Sequence, residues 1–152
     1  MPREKRKSLK KYVFERDRHS CRYCAKELEY DNCTLDHYLP RSKGGSEAVY
    51  NLVLSCGKCN KLKKDLVPED WKLIVLQLFK QAGRDGLIYT GLKRIKKQEI
   101  VGLTEKMERL EDITKSGQIF FQGSGYRLNM EGNLLKKISV LSWADGERED
   151  EG

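Results

Sequence analysis

The hydrophobic positions of the first 66 residues alternate between helical and strand-like spacing. Leu9, Tyr12 and Val13 share one face of a helix predicted over residues 8–17, with basic residues on the other face. Residues 34–39 have strand character, and Pro40 ends that run. An apolar run at 52–54 predicts a second strand or extended segment, and residues 58–66 can be helical. The predicted order is helix, strand, short strand, helix.

Helical spacing dominates the predicted elements beyond residue 66. A helix begins near Pro68 and carries a clear apolar face, formed by Trp71, Ile74, Val75, Leu78, Phe79 and Ala82. Weaker helices are predicted over 91–100 and 104–115, and a last one over 134–141. The segment Gln122-Gly123-Ser124-Gly125, between two apolar runs, predicts a β-hairpin.

This order resembles a winged-helix unit, with 104–115 as recognition helix and 118–129 as wing. A small scaffold or dimerisation domain is the alternative. The turn-forming segment 67–70 is the best boundary. We therefore predict a first domain over 1–66, a second, mostly helical domain over 67–143, and a flexible, mostly acidic tail over 144–152.

The net charge of +7 lies on the first part of the chain. Up to Leu66 there are 16 Lys and Arg against 9 Asp and Glu, whereas the remainder has 14 of each. A basic half of this kind predicts a polyanionic partner, most economically a nucleic acid. With 35% charged and 38% hydrophobic residues, one large core is not expected.

Four of the five cysteines form two C-x-x-C pairs, Cys21 with Cys24 and Cys56 with Cys59. No apolar segment follows the basic N-terminus, and no run is long enough to cross a membrane, so we expect a cytoplasmic protein. In a reducing compartment, paired C-x-x-C motifs indicate a closed, four-thiolate zinc site. Cys33 has no such partner and is predicted to be a small core residue.

Between and beside the cysteine pairs stand an Asp36-His37 dyad, Asn51 and Asn60. Imidazole is the side chain best suited to act as a general base near neutral pH. Carboxylate and amide oxygens suit an open site for a hard divalent ion. Because neighbouring residues on a regular strand point to opposite faces, we expect the strand to twist or end at this dyad.

The same segment resembles the HNH nuclease family. The resemblance rests on LDHYLPRSKGG at 35–45, NLVL at 51–54 and CGKCNKLK at 56–63, and it extends over about residues 8–66. It implies an α+β chain with an N-terminal ββα-metal domain, held together by zinc on Cys21, Cys24, Cys56 and Cys59.

The resemblance also implies a role for each residue of the motif. His37 would activate the attacking water, Asp36 and Asn60 would hold Mg²⁺ or Mn²⁺, and Asn51 would order the loop and orient His37. The basic residues around the dyad would contact phosphates: Arg41, Lys43, Lys61, Lys63 and Lys64.

The activity implied by the resemblance is metal-dependent hydrolysis of phosphodiester bonds in DNA, most readily double-stranded DNA. One such site cuts one strand at a time, so a double-strand break would need a homodimer or two successive events. Two alternatives stay open from the sequence. One is a non-catalytic zinc module that binds nucleic acid, and the other is a regulator that reads DNA with residues 67–152.

Overall fold

The computed structural model describes residues 3–141, with side chains from Arg6 onward. The chain divides between Trp71 and Lys72 into two compact units, five residues after the boundary expected at 66. The tail predicted over 144–152 lies outside the described residues. No helix of the described part is long and apolar enough to span a membrane.

The first unit contains the four elements predicted for it. They are α1 (Arg3–Arg16), β1 (Cys33–His37), β2 (Leu52–Cys56) and α2 (Gly57–Lys63). Single turns of 3₁₀-helix stand in the connections, at Tyr30–Asn32, Arg41–Lys43 and Val49–Asn51. The helix–strand–strand–helix order of the sequence prediction is confirmed.

The two strands of this unit form an antiparallel hairpin joined by a long loop. Cys33 lies opposite Cys56 and His37 lies opposite Leu52. All five residues of β2 are buried, and Val13 of α1 is completely inaccessible to solvent. Because α2 follows β2 without a connecting loop, the end of β2 and the start of α2 are fixed beside β1.

A buried ion pair joins α1 to β2. The Arg16 guanidinium contacts the Asp17 carboxylate at 2.9 Å, and the two side chains are only 2% and 3% exposed. Arg16 also donates to the carbonyl oxygens of Val49 at 3.1 Å and Leu52 at 2.5 Å. Asp17 accepts the backbone N–H of Leu54 at 2.8 Å. The pair thus satisfies backbone groups that a helix packed on a two-stranded sheet would otherwise leave without partners.

The second unit has two helices and a five-stranded sheet. The helices are α3 (Trp71–Arg84) and α4 (Lys97–Glu105). The strands are β3 (Tyr89–Thr90), β4 (Arg109–Ile113), β5 (Gln118–Gly123), β6 (Tyr126–Glu131) and β7 (Leu134–Val140). Their order is β3-β7-β6-β5-β4; β3 runs parallel to β7, and the other neighbours are antiparallel.

Two predictions for this unit are confirmed. The helix expected after Pro68 is α3, whose apolar face is buried in the unit's core. The rings of Phe79 on α3 and Phe121 on β5 stack with their centroids 3.9 Å apart. The predicted hairpin is β5–β6, and its turn uses Gly125 at a positive φ of 86°.

The prediction of a mostly helical second domain is wrong. The helix expected over 104–115 is the end of α4 followed by β4, where Leu110 pairs with Phe121 and Ile113 with Ile119. Apolar cross-strand pairs of this kind stabilise a strand more than the weak local helical spacing stabilises a helix. Without a helix at that position, the recognition helix of the predicted winged-helix unit is not formed in the described chain.

The final helix expected over 134–141 is also wrong, because that segment is β7. Gly132 turns the chain at a φ of 59° and brings β7 back along β6. Gly132 and Asn133 are a two-residue hairpin signal between two apolar runs, and this signal identifies the strand.

Candidate active site

The four paired cysteines converge at the ends of the strands in the first unit. The ligand atoms of Cys21, Cys24, Cys56 and Cys59 all lie within 4.8 Å of one another. Four sulfurs around a tetrahedral zinc, each at its usual bond length, would be about 3.8 Å apart. The donor set and its size therefore fit one structural zinc ion, as the cysteine spacing predicted.

Backbone amides point at two of these sulfurs. The N–H of Cys56 donates to the sulfur of Cys21 at 3.4 Å, and the N–H of Cys59 donates to the sulfur of Cys56 at 3.4 Å. Burial acts to raise the pKa of the Cys21 thiol, but backbone hydrogen bonds outweigh it and lower that pKa to about 6. At Cys21 the local backbone therefore favours the thiolate, the form that binds zinc, whereas the hydrogen bond with Cys56 raises the pKa of the Cys59 thiol to about 12. Cys33 is buried apart from this cluster, as predicted.

The Asp36-His37 dyad stands at the end of β1. The strand ends at His37, as expected, but it stays regular through both residues, with Asp36 opposite Val53 and His37 opposite Leu52. Adjacent residues of a regular strand point to opposite faces, so the two side chains leave β1 on different sides. Asp36 is buried at 8% exposure, and the side chain of His37 is 19% exposed. The carboxylate is therefore largely withdrawn from water, while the imidazole reaches the surface.

Two groups hold the Asp36 carboxylate, and both contact the same oxygen. Tyr23 donates its hydroxyl to Oδ2 at 2.5 Å, and the ammonium of Lys63 lies 3.3 Å from Oδ2. Among the described residues, Asp36 Oδ1 accepts no hydrogen bond. Burial and the hydrogen bond to Asp36 raise the pKa of Tyr23 far above its ordinary value, so the phenol stays a donor.

His37 is held by a carboxylate that the motif does not name. Its Nε2 lies 2.6 Å from Glu47 Oε2, in the loop that joins β1 to β2. The guanidinium groups of Arg41 and Arg6 lie 3.8 and 4.0 Å from the same carboxylate. Lys63 fixes the backbone of the dyad as well, because its ammonium donates to the carbonyl oxygen of His37 at 3.0 Å. Ring and backbone of His37 are thus restrained from separate sides.

Asn51 orders the loop from which Glu47 reaches His37. Its amide oxygen accepts the N–H of Leu39 at 2.9 Å, and its amide nitrogen donates to the carbonyl oxygens of Leu39 at 3.1 Å and Ser46 at 2.9 Å. The side chain is buried at 3% exposure. Asn51, the last residue of the loop, thus ties its start and its middle together, and among the described residues it has no direct hydrogen bond to His37.

Asn60 lies on α2, next to Cys59 and beside strand β1 of the dyad. Its Nδ2 donates to Thr34 Oγ1 at 3.3 Å, and Thr34 stands two residues before Asp36 on β1. Residues two apart on a strand share a face, so Asn60 is on the Asp36 side of β1. In the described chain the amide oxygen of Asn60, like Asp36 Oδ1, has no hydrogen-bond donor. Two oxygen atoms on one face of the strand, both available as metal ligands, fit a hard divalent ion.

The five basic residues predicted to contact phosphate divide into two groups. Arg41, Lys43, Lys61 and Lys64 are exposed, and the last three line a surface groove together with Lys63. Lys63 itself is 9% exposed and its ammonium is used by Asp36 and His37. Lys63 therefore holds the dyad in place, whereas the other four residues are exposed where a polyanion can reach them.

Three contacts of this site were not anticipated from the sequence. Tyr23 stands inside the first cysteine pair and Glu47 in a polar loop, so neither has a distinctive spacing from the dyad. The Arg16–Asp17 pair also could not be recognised from the sequence, because adjacent opposite charges are common on protein surfaces. The spacing of residues along one sequence does not reveal these contacts, because only the fold brings the residues together.

Comparison with known proteins identifies the HNH endonuclease family over residues 21–72, about a third of the chain. The match contains the dyad, Asn51, Asn60 and all four paired cysteines, and it confirms the predicted family resemblance. No curated protein matches the chain. Among solved structures, the chain is similar to the Type II-C Cas9 enzyme from Actinomyces naeslundii, with 19% identity and a TM-score of 0.40. That alignment covers 72% of this chain and 14% of the enzyme.

Proposed function

We propose that the protein is a metal-dependent endonuclease of the HNH type that hydrolyses phosphodiester bonds in DNA. The observation that carries the proposal is the Asp36-His37 dyad at the end of β1, with Asn60 hydrogen-bonded to the same strand from α2 and four clustered cysteines in the same unit. The HNH family match over residues 21–72 supports the same reaction class. The basic groove beside the dyad supports a polyanionic substrate.

His37 is the general base of the proposed reaction. Its side chain is partly exposed at the end of β1, where a water on the substrate side can reach it. Glu47 accepts a hydrogen bond at Nε2 when that nitrogen carries the proton. The other ring nitrogen, Nδ1, is then the acceptor that takes the proton from the attacking water. Glu47 thereby selects both the tautomer and the orientation of the ring.

Asp36 and Asn60 would hold the divalent ion, Mg²⁺ or Mn²⁺. Bound there, the ion would neutralise charge on the phosphate and stabilise the leaving oxygen. Asp36 Oδ1 and the amide oxygen of Asn60 are the donors that the protein's own hydrogen bonds leave available. Zinc on the four cysteines would be structural, because a site of four thiolates has no open position for substrate.

Substrate binding in this proposal rests on the exposed cations around the dyad. Arg41, Lys43, Lys61 and Lys64 would contact backbone phosphates, and Lys63 would act through Asp36 and the His37 carbonyl oxygen. One site cleaves one strand, so we propose nicking as the elementary reaction. A double-strand break would take a homodimer or two events.

The test is incubation of zinc-loaded protein with supercoiled plasmid in Mg²⁺, in Mn²⁺ and in neither. We expect nicking that requires the ion and falls by about 10²–10⁴-fold in His37→Ala, because a general base contributes that much. The His37→Ala protein should keep its zinc and its fold. Metal-independent plasmid binding with no cleavage by wild type would favour the non-catalytic zinc module instead.

A further inference from the structure

Tyr23 connects the proposed zinc site to the proposed catalytic carboxylate. It stands between Cys21 and Cys24, within the first pair of zinc-site cysteines. Its hydroxyl donates to Asp36 Oδ2 at 2.5 Å, and this hydrogen bond joins the loop of the first cysteine pair to strand β1. The position of this hydroxyl is therefore set by the backbone that the zinc ion would hold.

The Tyr23 ring is held in place by its neighbours. The ring of Tyr38 lies almost parallel to it, with an interplanar angle of 6° and centroids 6.0 Å apart. The ammonium of Lys63 lies over the Tyr23 ring at 5.8 Å from its centroid. These two contacts restrict the ring, so the hydroxyl has little freedom to leave Asp36.

The contacts of Asp36 are divided unequally between its two oxygens. Tyr23 and Lys63 both contact Oδ2. A carboxylate anchored through one oxygen presents the other in a fixed direction. Hydrogen bonds of this kind to a metal-binding carboxylate orient the ligand, and their loss weakens metal affinity or activity by about 10–100-fold.

We propose that Tyr23 is a positioning residue that fixes Asp36 so that Oδ1 is directed at the divalent ion. The inference rests on the proposed function, because it assigns Asp36 as a ligand of that ion. It adds that the zinc-site loop does more than stabilise the fold. Through Tyr23, the loop sets the affinity of the second metal site.

The test compares Tyr23→Phe with Tyr38→Phe in the full-length, zinc-loaded protein. Both variants remove one hydroxyl from the same ring stack, but the hydroxyl of Tyr38 donates to Asp70 at 2.7 Å and not to Asp36. Mn²⁺ binding is measured directly, from the electron paramagnetic resonance signal of unbound Mn²⁺. The site is assigned with Asp36→Asn, which should remove it.

We expect Tyr23→Phe to weaken Mn²⁺ binding about tenfold while zinc content stays at one ion per chain. Tyr38→Phe should bind Mn²⁺ as the wild type does. In the plasmid assay, Tyr23→Phe should need about tenfold more Mn²⁺ for half-maximal rate and should recover most of its activity at saturating Mn²⁺. A purely structural role for Tyr23 would not move this metal dependence.

The outcomes separate this inference from the proposed function. Unchanged Mn²⁺ affinity in Tyr23→Phe, with normal cleavage, would overturn the inference and leave the nuclease standing. Asp36-dependent Mn²⁺ binding that weakens in Tyr23→Phe, in a protein that cleaves nothing, would support the inference and overturn the nuclease. Loss of zinc in Tyr23→Phe would mean that its hydroxyl stabilises the cysteine loop, and this result would overturn the inference. The inference would also be overturned if no Mn²⁺ site depended on Asp36, because Tyr23 would then have no metal ligand to position.

Discussion

At the scale of single residues, Asp17 shows how the first unit tolerates buried charge. Its carboxylate is 3% exposed and accepts hydrogen bonds from Arg16, Arg22 and the backbone N–H of Leu54. A carboxylate withdrawn from water is tolerated only when charged and polar partners replace its hydration. Arg16 is the partner that is equally buried, so it compensates most of that cost.

Replacing Arg16 by methionine should therefore be strongly destabilising. The Arg16→Met variant keeps much of the side-chain volume but leaves Asp17 without its buried counter-ion. We expect the free energy of unfolding of the first unit to fall by about 3–5 kcal/mol, the usual cost of breaking a buried pair. Urea denaturation of the zinc-loaded protein measures this change.

Arg22→Met is the matched control for this prediction. Arg22 also contacts Asp17, at 3.2 Å, but its side chain is 30% exposed. Exposed ion pairs contribute roughly 1 kcal/mol or less, so this variant should unfold near the wild-type urea concentration. An equal decrease in the free energy of unfolding in Arg16→Met and Arg22→Met would show that burial does not decide the strength of these contacts.

The sequence could predict only those site residues that belong to a recognisable motif. Asp36, His37, Asn51 and Asn60 belong to a short, ordered motif, so their types and spacing identify them. Glu47 and Tyr23 have no such pattern. They reach the dyad only because the long loop and the first cysteine pair fold back towards the end of β1. That path depends on packing, which spacing along one chain does not encode.

At the scale of elements, the loop between β1 and β2 holds the His37 ring through Glu47. Asn51 binds Leu39 near its start and Ser46 in its middle, and Gly45 lies where a side chain has no room. A Cβ on Gly45 would collide with the carbonyl oxygen of Leu39 and approach the Asn51 amide nitrogen to 2.9 Å. The glycine is required by this close approach of backbone to backbone.

Gly45→Ala should accordingly displace the loop and, with it, Glu47 and His37. A displacement of about 1 Å at a catalytic group can cost on the order of a hundredfold in rate. We expect plasmid nicking to fall by about that factor while zinc content is unchanged.

Gly57→Ala provides the comparison for the loop variant. Gly57 begins α2 beside the zinc-site cysteines, and a Cβ there meets no atom within 4 Å. Alanine is the better helix former, so this variant should cleave as the wild type does. A wild-type rate in Gly45→Ala would mean that the loop's position does not control catalysis.

The elements of the second unit show the limit of periodicity in one sequence. Apolar residues at 110 and 113, or at 134, 135 and 138, suit a helix face as well as a strand that pairs with distant residues. The outcome is decided by β5 and β6, whose alternate residues are buried and which lie adjacent in the sheet to β4 and β7. In the first unit the motif and the cysteine spacing removed this ambiguity, and all four elements were predicted.

At the scale of the whole molecule, the two units are stabilised by different means. The first unit carries the basic excess and the four-cysteine cluster, and its two-stranded sheet is small. The second unit has a five-stranded sheet and its own buried apolar core, including Phe79, Phe121, Leu128 and Met130. A structural metal on the four cysteines would add folding free energy to the first unit, whereas the described part of the second unit holds no such cluster and depends on its apolar core.

Removal of zinc should therefore unfold the first unit selectively. The binding free energy of a structural zinc ion is about 10–16 kcal/mol and is available only to the folded site. Hydrogen exchange, read by mass spectrometry after chelation, should show lost protection across β2 and α2. Protection across β5, β6 and β7 should persist, because their hydrogen bonds and core lie within the second unit.

Two cysteine variants make this prediction specific to the metal. Cys56→Ser removes a zinc ligand and should reproduce the chelator's effect without chelator, since serine does not replace a thiolate at zinc. Cys33→Ser changes a buried cysteine outside the cluster and should keep zinc and the protection of β2 and α2. If chelation exposes both units together, they unfold cooperatively and the zinc ion stabilises the whole chain. If neither unit loses protection, the four cysteines hold no structural ion, and Tyr23 would owe its position to ring packing and its hydrogen bond alone.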